Sequence, residues 1–97
     1  MTVTKTKNDN ELILAIEGRI DTTTAPQLEA EIGELDGVES LILDFAGVEY
    51  ISSAGLRVVL KAQKAMNSKG SMKLVNVNND VMDVFDITGF VDILTIE

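Results

Sequence analysis

The stretch Leu41-Ile42-Leu43-Asp44-Phe45-Ala46-Gly47-Val48-Glu49-Tyr50-Ile51-Ser52-Ser53-Ala54-Gly55 holds a strand, a junction and the start of a helix. Its apolar run Leu41-Ile42-Leu43 predicts a buried strand finishing at Asp44-Phe45. Residues 46 to 51 read as a loop. After Gly55 the period changes. Val58, Val59, Ala62, Ala65 and Met66 recur at helical spacing and make one apolar face, with Gly70 closing the element. A buried strand feeding an amphipathic helix is the unit of an α/β layer.

The same alternation extends to both sides. Upstream, Val3 to Lys7 predicts a first strand, and Lys7-Asn8-Asp9-Asn10 a turn. Leu12-Ile13-Leu14-Ala15-Ile16 reads as a strand buried on both faces and ended by Gly18. Asp21 to Pro26 opens a helix, with Thr24 and Gln27 spaced as a capping box and Pro26 in the tolerant first turn. Leu28, Ile32 and Leu35 share its inner face, and Gly37 ends it. Downstream, Lys73 to Val77 predicts a core strand. Asn79 is placed to cap a short helix bearing Val81, Val84 and Phe85, which Gly89 ends, and Ile93 to Ile96 predicts a last strand. The expected fold is α/β: a mixed sheet of four to five strands with helices packed mainly on one face, in a single domain over residues 1–97.

Composition narrows the function. With 97 residues there is room for one modest core. There is no cysteine and no histidine, which removes disulfides, thiol chemistry and imidazole acid–base catalysis, and structural zinc with them. No apolar run approaches the roughly 20 residues that cross a bilayer, and the start lacks a signal-peptide stretch, so a cytoplasmic protein is expected. The net charge of −8 disfavours direct nucleic-acid or membrane partners and suits a basic protein surface, or simply keeps a small domain soluble.

Few motifs offer chemistry. Neither a glycine-rich phosphate loop nor a serine nucleophile motif occurs, and no cofactor or metal is expected. Asp21 and Asp44 lie near predicted strand ends. Each has a plain structural use, Asp21 in a turn or cap and Asp44 as a strand-terminal acceptor. Arg57, Lys61, Lys64 and Lys69 gather four of the eight cations on one helix, either as a solvated face or as a strip that orients a docking partner. Asp80, Asp83 and Asp86 favour the last helix electrostatically. A serine just before a helix is ordinarily a cap, and Ser52 and Ser53 both qualify.

The segment Leu43 to Arg57, with Ile51-Ser52-Ser53-Ala54-Gly55-Leu56-Arg57 at its centre, resembles the signature of the STAS family, the anti-sigma factor antagonists of bacterial partner-switching systems. Glu17-Gly18-Arg19-Ile20-Asp21-Thr22 is similar to the family's first loop, and Val81 to Phe90 to its last helix and turn. The resemblance implies that Ser53 is a phosphorylation site with Asp21 beside it. It implies a partner face made of Asp21, Thr22, Ser52, Ser53, Ala54, Gly55 and Arg57. The implied partners are an ATP-binding anti-sigma factor kinase, released when it phosphorylates Ser53, and a phosphatase that resets the serine. Family members often carry aspartate and a second hydroxyl residue on either side of the serine, where this chain has Ser52 and Ala54. Other STAS-like domains serve as non-phosphorylated subunits of transporter assemblies. An enzyme or small-ligand binder would instead need a deep polar pocket joining Asp21, Asp44 and Ser53.

Overall fold

The computed structural model describes residues 1–97. Strands β1 (Thr2–Asn8), β2 (Glu11–Ile20), β3 (Ser40–Ile51) and β4 (Ser71–Val75) form one sheet in that order. Helix α1 (Ala25–Ile32) joins β2 to β3, α2 (Ser53–Asn67) joins β3 to β4, and α3 (Asn79–Thr88) follows β4. The β1–β2 edge is an antiparallel hairpin, whereas β2, β3 and β4 run parallel. The expected mixed α/β layer is therefore the observed one.

Burial alternates along each inner strand. Leu12, Leu14 and Ile16 on β2, Leu41, Leu43 and Phe45 on β3, and Met72 and Leu74 on β4 are buried beneath the helices. Ile13, Ala15 and Ile42 point the other way and are only half-buried. This corrects the expectation of strands buried on both faces, because helices cover just one side. Leu28, Ile32, Val59, Ala62, Met66, Val81 and Phe85 close that side into a single core. Full burial of each large side chain contributes about 1.5–3 kcal/mol.

Element ends differ from expectation for local reasons. β2 runs through Gly18 to Ile20, and β3 continues through residues 46–51 where a loop was expected. The two extensions pair with each other, Arg19 opposite Tyr50 and Ile20 opposite Ile51, after register shifts between Ala15 and Glu17 and between Gly18 and Arg19. α1 stops at Ile32 rather than near Gly37, although Leu35 still reaches the core. α2 ends at Asn67, and Gly70 lies in the following turn. A Cβ on Gly70 would sit 2.0 Å from the Glu39 carbonyl oxygen, so this turn admits only glycine. Asn78, not Asn79, caps α3 by accepting from the Val81 amide at 2.8 Å. The last expected strand is reduced to one parallel bridge between Ile96 and Leu74.

Candidate functional site

The C-terminal ends of β2 and β3 emerge side by side. Ile20 pairs with Ile51, and one step further the Ser52 amide donates to the Ile20 carbonyl at 2.8 Å. The loop beginning at Asp21 and the start of α2 are thereby held next to each other. Gly55 brings the helix close. A Cβ there would fall 2.6 Å from Ile20 Cγ2 and 2.8 Å from Ile51 Cγ1. Gly55 is buried, and its missing side chain lets α2 pack against Ile20 and Ile51.

The two serines divide the work. Ser52 is the N-cap of α2: its backbone is extended and its hydroxyl accepts from the Gly55 amide at 3.4 Å. Its carbonyl accepts from Leu56. Ser53 is the first helical residue, exposed, and its hydroxyl makes no hydrogen bond within the chain. The sequence left either serine eligible as the cap, and the structure assigns that role to Ser52. Ala54 beside them is half-buried.

Across the junction, Asp21 Oδ1 accepts from the Thr23 hydroxyl at 2.7 Å and from the Thr23 and Thr24 amides at 3.0 and 3.1 Å. The Thr23 hydroxyl leads in holding the Asp21 carboxyl below its ordinary range; some desolvation opposes it, and the two amides assist. Oδ2 takes no bond within the chain and remains open to a partner. Thr24 does not form the expected capping box. Its hydroxyl donates to the Arg19 carbonyl at 2.8 Å and accepts from the Asp21 amide at 2.8 Å, bracing the loop instead of the helix. Thr22 is exposed and lines a shallow groove of about 260 Å³ between α1 and α2, together with Ala25, Pro26, Glu29, Ala54, Arg57, Val58 and Lys61.

Asp44 stays apart. It sits mid-strand opposite Ala15 and Val75, seven residues and roughly 20 Å of strand before Ile51. Its Oδ1 accepts from the Ala46 amide and the Asn76 side chain, both at 3.0 Å. No cavity joins Asp21, Asp44 and Ser53, and no group of three or more acidic side chains has metal-holding geometry. Of the four cations expected on one helix, Arg57, Lys61 and Lys64 lie on α2, whereas Lys69 lies in the turn after it. Lys61 pairs with Glu29 at 2.9 Å and Lys69 with Asp36 at 3.8 Å, while Arg57 and Lys64 have no carboxylate partner. Sequence reasoning missed Arg19 and Tyr50. The Arg19 guanidinium lies 4.4 Å from the Tyr50 ring centroid on the exposed rim of the junction. Their pairing depends on the strand extensions, which only the register reveals.

The STAS domain model matches residues 2–97. The chain belongs to the STAS family. As a STAS domain it is 38% identical over 99 residues to BtrV of Bordetella bronchiseptica, described as an anti-sigma factor antagonist, covering 99% of this chain and 85% of that one. It is 34% identical over 92 residues to the anti-sigma-B factor antagonist of Bacillus subtilis, covering 93% of this chain and 84% of that one. Its fold is that of the anti-sigma factor antagonist SpoIIAA in its unphosphorylated form, with a TM-score of 0.84 at 19% identity, covering 99% of this chain and 88% of that one. The phosphorylated form of the Bacillus SpoIIAA gives 0.77 at 18% identity, covering 99% and 91%. In this STAS domain no helix is long and apolar enough to cross a membrane.

Proposed function

We propose that this STAS domain is an anti-sigma factor antagonist that binds an anti-sigma factor kinase and is released when Ser53 is phosphorylated. The observation that carries the reading is the division of labour at the start of α2. Ser52 holds the cap, which leaves the Ser53 hydroxyl exposed and unbonded. Relatives named as anti-sigma factor antagonists point to the same partner class. The kinase transfers the γ-phosphoryl group of ATP: an Oγ–P bond forms at Ser53, the bond to the ADP oxygen breaks, and the hydroxyl proton leaves. A phosphatase restores the hydroxyl.

The physics suits a switch. Phosphorylation adds about −1.5 to −2 charge. The start of α2 carries roughly +0.5 charge and contains no acidic side chain, so the helix tolerates the group. The fold survives while the docking face changes from a small hydroxyl to a bulky dianion. A loss of about 4 kcal/mol there is a thousandfold in affinity. The groove lined by Thr22, Ala54 and Arg57 and the open Oδ2 of Asp21 supply the rest of the proposed partner face. Incubation with the cognate kinase and ATP, followed by mass mapping, tests the reading. One phosphate on Ser53 is expected. Phosphate on Ser52, or none, overturns the assignment.

A further inference from the structure

Ser53 and Arg57 stand one helical turn apart on α2, and both are exposed. Residues four apart on a helix have Cβ atoms about 5–6 Å from each other. Helical side chains lean toward the N-terminus, so a long side chain at 57 sweeps back over position 53. Arg57 is also uncommitted. Lys61, one turn further on, is held by Glu29 of α1, and Lys69 by Asp36, whereas no carboxylate lies within ion-pair reach of Arg57. In a chain of net charge −8, a cation left free beside an exposed serine is an unspent charge.

We propose that Arg57 is the intramolecular partner of phosphorylated Ser53, its guanidinium pairing with the dianion along the flank of α2. The inference rests on Ser53 being the modified residue. A guanidinium presents a planar fork of donors that matches phosphate oxygens, which an ammonium does not. The other charged groups facing this corner are Asp21, from the loop before α1, Arg19 on the same rim, whose guanidinium lies over the Tyr50 ring, and Glu29 and Lys61, which pair with each other. Asp21 repels the phosphate and Arg57 offsets that repulsion. One modification then makes two changes to the docking face: it adds a dianion and withdraws the free cation next to it. A single-charged, shorter carboxylate at position 53 reproduces the first change poorly and the second hardly at all.

The test uses the full chain carrying phosphoserine at position 53 by genetic incorporation, so that no kinase is needed. Phosphorus NMR follows the second ionisation of the phosphate in the parent, Arg57→Lys and Arg57→Gln. The expected second pKa is lowest in the parent, higher by roughly 0.2–0.4 unit in Arg57→Gln, and intermediate in Arg57→Lys. Raising the salt concentration should shrink the difference. Equal values in the parent and Arg57→Gln overturn the pairing. That result would leave the kinase assignment untouched, and failure of a kinase to modify Ser53 would leave this measurement untouched.

Discussion

The backbone amide of Ser52 donates to the carbonyl of Ile20 at 2.8 Å. This bond fastens the start of α2 to the end of β2, one residue before Asp21. It sets the Ser53 hydroxyl and the Asp21 carboxylate on the same rim without either of them making the connection. Chemistry at Ser53 can therefore change while the frame beneath it does not.

Binding should follow the state of Ser53. Ser53→Ala is expected to remain bound to the kinase in the presence of ATP, because it keeps the small docking face and accepts no phosphate. Ser53→Glu should bind roughly 10–100-fold more weakly. Calorimetry with the cognate kinase checks both, and equal affinities would sink the switch.

Stability should respond to the other serine. Ser52→Ala removes the N-cap hydrogen bond of α2 and should cost about 1 kcal/mol, a fall in Tm of roughly 4–8 °C for a chain of this length. Ser53→Ala alters an exposed, unbonded side chain and should stay within about 0.5 kcal/mol of the parent. Parallel thermal melts of the two variants decide it. A larger loss from Ser53→Ala would reverse the roles assigned here.

Gly55→Ala should destabilise by about 1–3 kcal/mol, since its methyl would meet Ile20 Cγ2 at 2.6 Å and Ile51 Cγ1 at 2.8 Å. Because the clash pushes α2 away from the strand ends, kinase binding should weaken as well, although the Ser53 hydroxyl is intact. Urea unfolding and a binding titration measure the two effects, and an unchanged midpoint would refute the packing argument.

The acid limb of stability carries a mark of Asp21. Its folded pKa is depressed, chiefly by the Thr23 hydroxyl, so its contribution is present above the unfolded value near about 4 and is lost as pH falls through the folded value. Thr23→Ala should return the Asp21 carboxyl toward its ordinary range in an NMR titration. The stability gap between parent and variant should narrow as pH drops from about 5 to about 2. A gap independent of pH would mean that the hydroxyl acts on the loop by some route other than the carboxylate.

Much of this architecture is legible in the sequence because it rests on periodicity. The apolar runs at Leu12–Ile16 and Leu41–Leu43 and the helical face from Val58 to Met66 each announce their element. Three residues show where that legibility ends. Gly18 looks like a terminator, yet it lies inside β2, because β3 offers Val48 as a partner that no local pattern displays. Thr24 has the spacing of a cap, but its hydroxyl is drawn to the Arg19 carbonyl, a contact made only when the loop closes. Ser52 and Ser53 are indistinguishable by composition. The extended backbone of Ser52 decides between them, and that conformation follows from its bond to Ile20. A strand finishing at Phe45 would put Asp44 near its end, but β3 does not stop there. Extension of that strand to Ile51 carries the site far from it.

The three parallel strands have a kinetic consequence. The β1–β2 hairpin closes over two residues, but β2 can meet β3 only after α1 has been traversed, a long and slow loop to close. The rim that displays Ser53 is made by that late pairing. A nascent or locally opened chain has the serine but not the surface around it. If the proposed kinase reads the assembled rim, it would inspect only finished molecules, and unfolded copies would neither occupy it nor consume its ATP.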